Sequence, residues 1–149
     1  MAPARRDRGV NLLELLVTLA LVGVLGSLAY PSYRTHLLRA HRMEAIEALL
    51  TVAAAQERFY LAYGRYAAGF AVDGVAIEPG LRLDAITPGR RYQVSIERPE
   101  PAYFLAHAAP RAGSGQDADR VCARLSIAAD GRRSAQDSTG HDTTATCWR

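Results

Sequence analysis

RGVNLLELLVTLALVGVLGSLAYPSY, running from Arg8 to Tyr33, is the stretch that decides the architecture of this 149-residue chain. From Leu15 to Tyr33 no residue is charged. About 20 helical residues suffice to cross a bilayer core roughly 30 Å thick, so the run reads first as a membrane segment. Glu14 stands at its entry, where a carboxylate costs several kcal/mol unless it is paired or protonated. The pattern therefore asks for a partner to Glu14.

The residues before the run, Met1 to Gly9, are short, polar and basic, with Arg5, Arg6 and Arg8 against Asp7 alone. Three readings follow. A secretory signal would use the run as its apolar core, with Ser27, Leu28 and Ala29 as a small-residue cleavage site, but Glu14 and Pro31 fit that poorly. A plain signal anchor would keep the arginines in the cytoplasm, although Arg34, Arg39 and Arg42 beyond the other end weaken that argument. Cleavage after Gly9 would instead leave the whole run in the mature protein.

Outside the leader, 15 arginines face 14 acids, so the formal charge of +3 falls to +1. That near-neutrality argues against a generally nucleic-acid-coating protein. Every basic side chain of the 18 is Arg, and they are scattered rather than clustered. The length allows one small domain beside the membrane segment, and there is no internal repeat.

Gly9, then Val10-Asn11-Leu12-Leu13-Glu14, then an apolar helix with Gly23 and Pro31, resembles the N-terminal signature of type IV prepilins. The resemblance implies cleavage by a prepilin peptidase between Gly9 and Val10, and N-methylation of Val10. It implies a filament-assembly role for Glu14 and a helix hinge at Gly23 and Pro31. Val10 and Asn11 depart from the family's usual phenylalanine and threonine. The physical sense is direct: an ammonium at Val10 and the Glu14 carboxylate of a neighbouring subunit would each relieve the other's burial cost and set the stagger of packed helices. Gly23 and Ser27, four apart, would let helices approach closely. Pro31 removes a backbone donor and disfavours helix at Tyr30.

Beyond Pro31, Leu38, Ala45, Leu49, Val52, Phe59 and Tyr63 recur on one helical face, with Arg39, Glu47, Glu57 and Arg58 elsewhere. Gly64 is the stop signal. A helix from Val10 to Tyr63 would be about 80 Å long, too long for a small domain to bury. Arg34, His36, Arg39, His41 and Arg42 form a basic junction that reads as a solvated helix face in preference to a lipid or DNA contact. Residues 64–91 read as loop with short elements, the variable connection of pilins by resemblance. Tyr92–Glu97 alternates as a strand, interrupted by Pro99 and Pro101. Ala102–Ala109 follows as a second strand, Gly113–Asp119 as a polar turn and Val121–Ala128 as a third strand before the Asp130-Gly131 hairpin signal. The expected fold is α+β, a type IV pilin fold with a long N-terminal helix, one half in the membrane and one half amphipathic, packed on an antiparallel sheet of three or four strands. Its division would be a cleaved leader over residues 1–9, a transmembrane and assembly helix over 10–31, and a globular head over 32–149.

Cys122 and Cys147 are the only cysteines. A domain exported across a membrane reaches an oxidising compartment, so a disulfide is the leading reading, worth roughly 3 to 4 kcal/mol in the chain-entropy model. The enclosed segment Gly131–Thr146 has little else to hold it. Metal ligation with His141 lacks paired ligands. A cysteine on a strand, Leu125-Ser126-Ile127, Asp130-Gly131-Arg132 and the terminal Cys147-Trp148 resemble the PilE-type minor pilins. Type II secretion pseudopilins, which share the N-terminal signature, generally lack such a bridge.

His36, His41, His107 and His141 accompany no nucleophile, zinc or phosphate-loop motif, so neither catalysis, a cofactor nor a metal is expected. The resemblance implies a structural pilus subunit, serving pilus biogenesis, adhesion, twitching motility or DNA uptake. Its partners would be other pilin subunits, the prepilin peptidase, the pilus assembly platform and the inner membrane. The C-terminal domain would lie in the periplasm and later in the extracellular pilus. The minority reading is a DNA-receptor competence pilin, whose contacts would be Arg90, Arg91, Arg132, Arg133, Trp148 and Arg149 if they converge on one face.

Overall fold

A computed structural model describes residues 11–70 and 80–149, without the side chains of Leu28 and Pro31. Gly9 and Val10 therefore lie outside the described residues. The chain divides into two compact units, Met1–Leu37 and Leu38–Arg149.

Helix α1 (Leu12–Tyr63) runs through both. It starts at Asn11, whose carbonyl accepts Leu15 N–H at 3.2 Å and whose side-chain oxygen accepts Leu13 N–H at 3.4 Å. It ends at Gly64, whose φ of 67° supplies the left-handed cap expected there. Within the first unit the described side chains are exposed, from Leu12 at 74% to Leu25 at 66%. Thr18 and Ser27 donate back to the carbonyls of Leu15 and Val24 at 2.9 and 2.7 Å, so both hydroxyls are satisfied inside the helix. Among the described residues no single helix is long and apolar enough to cross a membrane. The pair Leu12–Ser27 and Ser32–Tyr63 meets that test of length and composition together.

The second unit packs α1 against four strands: β1 (Tyr92–Glu100), β2 (Tyr103–Pro110), β3 (Arg124–Ala128) and β4 (Arg133–Gln136). They form an antiparallel meander in the order β1-β2-β3-β4. Ala45, Leu49, Val52 and Phe59 of the predicted helix face are buried. Ala45, Leu49 and Val52 share one core cluster with Tyr92, Val94, Phe104, Ala106, Leu125 and Ile127 from the inward side of the sheet. Tyr63 instead stays 55% exposed and stacks on Phe59 at 4.4 Å. Gln56 is buried as well, because its amide both donates to Ala67 O at 3.0 Å and accepts from Ala67 N–H at 2.8 Å, pinning the chain after the helix.

Four expectations need correction. Pro99 does not end β1: the strand lies at the sheet edge and its register shifts between Glu97 and Glu100, the one setting where a strand proline loses no ladder bond. Cys122 is not on β3, because Asp119 accepts its N–H at 3.3 Å and residues 121–123 form a turn before the strand begins. Arg42 is not on a solvated face; it is 8% exposed. Its Nε and Nη2 donate to Asp119 Oδ2 and Oδ1 at 2.7 and 2.9 Å.

The fourth concerns residues 131–146, which are held by far more than the Cys122–Cys147 disulfide. Asp137 accepts from Thr139 N–H, Thr139 Oγ1 and His141 N–H at 2.8, 2.7 and 3.0 Å. These bonds, the Thr139 hydroxyl first, hold its pKa at about 2. Thr143 N–H donates to Ala135 O at 2.9 Å, Ala135 N–H to Thr144 Oγ1 at 2.9 Å, and Trp148 Nε1–H to Ser134 O at 2.8 Å. The C-terminal segment, with the short helix α2 (Thr144–Cys147), thus covers the edge of β4 that would otherwise be open to pairing.

Candidate functional sites: the apolar helix and the cationic corners of the head

In the first unit, Glu14 is the only charged side chain among residues 11–33 and is exposed, as are its apolar neighbours. Gly23 has open space where a Cβ would stand. A continuous apolar helix surface around one carboxylate is a surface built to be covered.

In the second unit, Tyr92 at the start of β1 pairs with Pro110 at the end of β2, so Arg90 and Arg91 sit beside the strand's next residue, Arg111. Arg111 N–H donates to Arg91 O at 2.8 Å, and its Nη1 to Arg90 O at 3.1 Å. Ser114 Oγ donates to Arg111 O at 2.7 Å. Arg90 holds a φ of 56°, the left-handed region in which a non-glycine residue is strained. Together with Gly89, Ala112 and Gly113 these residues line a polar recess of about 450 Å³ that, among the described residues, contains no acidic side chain. Arg111 and Ser114 were missed in the sequence; only the β1–β2 register brings them to Arg90.

Arg91 Nη1 also donates to Glu44 Oε2 at 2.8 Å. Gly89 leaves room for this pair, since a Cβ there would overlap both the Arg91 guanidinium and the Glu44 carboxylate. Burial pushes the Glu44 carboxyl up, but Thr87, Arg91 and the Gly89 backbone outweigh it and leave the pKa below the usual carboxylate range. Its stabilising effect is therefore complete above the unfolded carboxylate value of about 4.3 and is lost as pH falls through the lower folded value. In urea titrations the stability gap between wild type and Glu44→Gln should shrink on acidification below that value. A gap independent of pH would contradict this assignment.

The other predicted contacts lie at the diagonally opposite corner. Arg133 pairs with Ile127, which pairs with Ala106 and then with Ile96, at the far end of the sheet and on its other edge from Arg91. There Arg132 Nη2 is bonded to Asp130 Oδ2 at 2.9 Å. The Arg133 guanidinium lies 5.2 Å from the centre of the Trp148 ring. Arg149 is exposed next to it in sequence. The six residues thus form two groups, and the structure does not bring them together.

Outside the two corners, His107 is a buried titratable side chain whose Nε2 makes no hydrogen bond. His107 Nδ1 lies 2.8 Å from Ser126 Oγ, and its Nε2 lies 3.3 Å from Glu97 Oε1. Burial pushes the His107 pKa down, against the pull of Glu97. Ser126 is only 5% exposed, so its hydroxyl is not presented to a substrate. Among the described residues no group of three or more His, Cys, Asp or Glu could hold a metal ion.

The helix, the four-stranded sheet and the disulfide-bounded C-terminal segment define a type IV pilin fold. A solved structure of the non-core minor pilin PilV from Neisseria meningitidis matches 71% of this chain and 93% of its own, at 18% identity and a TM-score of 0.52. A type IV pilin from Shewanella oneidensis matches 64% of the chain and 89% of its own, at 25% identity and a TM-score of 0.45. Type IV major pilin protein PilE1 from Neisseria gonorrhoeae is 33% identical over 73 residues, 49% of this chain and 44% of that protein. The chain thus spans less than half the length of the curated relatives it matches. The family described as type IV minor pilin ComP, DNA uptake sequence receptor, matches residues 31–126. This chain belongs to that family.

Proposed function

We propose that the chain is a minor subunit of a type IV pilus whose apolar helix is buried among other pilin subunits and whose head contacts DNA. Family membership over residues 31–126 carries this reading. It raises the DNA-receptor role, ranked second on the near-neutral charge, above a purely structural one. A net charge near zero does not prevent DNA binding where cations are locally concentrated, because phosphate contacts act at short range under physiological salt.

Of the two cationic corners, Arg90, Arg91 and Arg111 are the better phosphate site. Among the described residues the polar side chains lining that recess are all donors; Arg91 is paired with Glu44, but the Arg90 side chain has no partner and Arg111 is bonded only to a backbone carbonyl. At the opposite corner Arg132 is paired with Asp130, and the Arg133 and Trp148 groups are engaged with each other and with Ser134.

The proposal keeps the sequence-derived processing scheme: prepilin peptidase cleavage between Gly9 and Val10, methylation of Val10, storage of the 10–31 helix in the inner membrane with residues 32–149 in the periplasm, then extraction into the extracellular filament. Glu14 is the assembly residue, pairing with a neighbour's N-terminus, and Gly23 and Pro31 supply the hinge. The disulfide favours a pilin over a type II secretion pseudopilin.

The test is equilibrium titration of duplex DNA with the full-length chain in detergent micelles across roughly 50 to 200 mM salt. Binding should weaken steeply with salt, and Arg90→Gln with Arg111→Gln should flatten the salt slope by about two contacts. No binding even at the lowest salt would refute the receptor role.

A further inference from the structure

We infer that the DNA path extends from the Arg90 corner along residues 80–91 to a second contact at the C-terminal end of α1, formed by Arg58, Arg82 and Tyr63. This rests on the DNA-binding reading above.

Arg58 and Arg82 border a groove of about 330 Å³ whose lining includes Ala55, Phe59 and Leu81 and, among the described residues, no acidic side chain. Both arginines are exposed, and among the described residues neither has an ion-pair or hydrogen-bond partner. Tyr63, stacked on Phe59, offers a 55% exposed ring at the same place. Unpaired cations beside an exposed aromatic face suit a phosphate with an attached base, because charge and stacking then act on one ligand. Arg82 also holds a φ of 53°, so the two left-handed non-glycine residues of the described chain, Arg82 and Arg90, are cations near the two ends of residues 80–91.

The spacing suits a duplex. Arg91 is anchored on Glu44, and Arg82 lines a groove with Arg58. Glu44 and Arg58 are just under four helical turns apart, on one side of α1, and about 21 Å apart along its axis. That is about six base pairs at roughly 3.4 Å each. Between the two contacts Glu47 and Asp84 flank a recess of about 550 Å³, both exposed and unpaired among the described residues. A strand following this path must pass two like charges. Their removal should therefore strengthen binding of a duplex that follows this path.

The experiment is fluorescence anisotropy of full-length protein in detergent micelles with labelled duplexes of about 8 and about 16 base pairs over a salt series. Arg58→Gln/Arg82→Gln should weaken the longer duplex about tenfold and lower its salt slope by about two, with little effect on the shorter one. Glu47→Gln/Asp84→Asn should tighten the longer duplex. These four side chains are exposed, so their substitution leaves the core intact. Wild-type affinity for the longer duplex in the arginine variant, or no tightening in the acid variant, overturns the path while wild-type binding keeps the receptor role. Absence of wild-type binding to either duplex overturns both.

Discussion

Replacing Arg42 with methionine is expected to destabilise the head by about 3 to 5 kcal/mol, because Asp119, only 4% exposed, would lose its bidentate partner. Asp119 is also the acceptor for Cys122 N–H and for Gln116 Nε2–H at 3.3 and 3.2 Å. Gln116 in turn donates to Leu38 O at 3.1 Å and lies 3.2 Å from His41 Nδ1. The bidentate pair therefore fastens the whole β2–β3 connection, with its 3-10 turn (Gln116–Ala118), to the helix. In a domain of this size such a loss lowers the melting temperature by more than about 10 °C. The double variant Arg42→Met/Asp119→Leu should recover part of it, since removing both charges ends the unpaired burial. Thermal unfolding checks both, and an unchanged melting point in Arg42→Met would show that the pair contributes nothing net.

Glu14→Ala is expected to reduce the chain in sheared filaments at least tenfold while leaving its membrane level unchanged. The carboxylate stands alone on an apolar surface, so in a helix bundle it must be paired or protonated. Losing one member of a buried pair costs about 3 kcal/mol or more, enough for that factor and beyond. Glu14→Gln separates charge from size: it should fail as alanine does. Undiminished incorporation of either variant, measured by immunoblot of sheared and membrane fractions, would refute the pairing.

Much of the fold was legible because it rests on local pattern. The buried positions of α1 follow the 3.6-residue period, the Asp130-Gly131 turn joins β3 to β4, and Gly64 ends the helix with a positive φ. What was not legible depends on contacts distant in sequence. Arg42 looks like one of five basic residues on an exposed helix until Asp119, 77 positions later, is brought to it. Pro99 looks like a terminator until β1 proves to be an edge strand with a register shift. Residue type alone singles out Arg90, Arg91, Arg132, Arg133, Trp148 and Arg149 as candidate DNA contacts. Strand register then separates Arg90 and Arg91 from Arg133 and adds Arg111, which no periodicity singled out. The order of residues 131–146 rests on Asp137, Asp142 and Trp148 bonding to backbone and hydroxyls, a pattern that composition alone reads as loose.

The amount of duplex DNA retained by purified filaments from cells with and without the chain tests most directly whether this subunit gives a pilus its hold on DNA. Filaments carrying it should retain DNA in a salt-sensitive manner, and filaments lacking it should retain little. Equal retention by both would contradict the account.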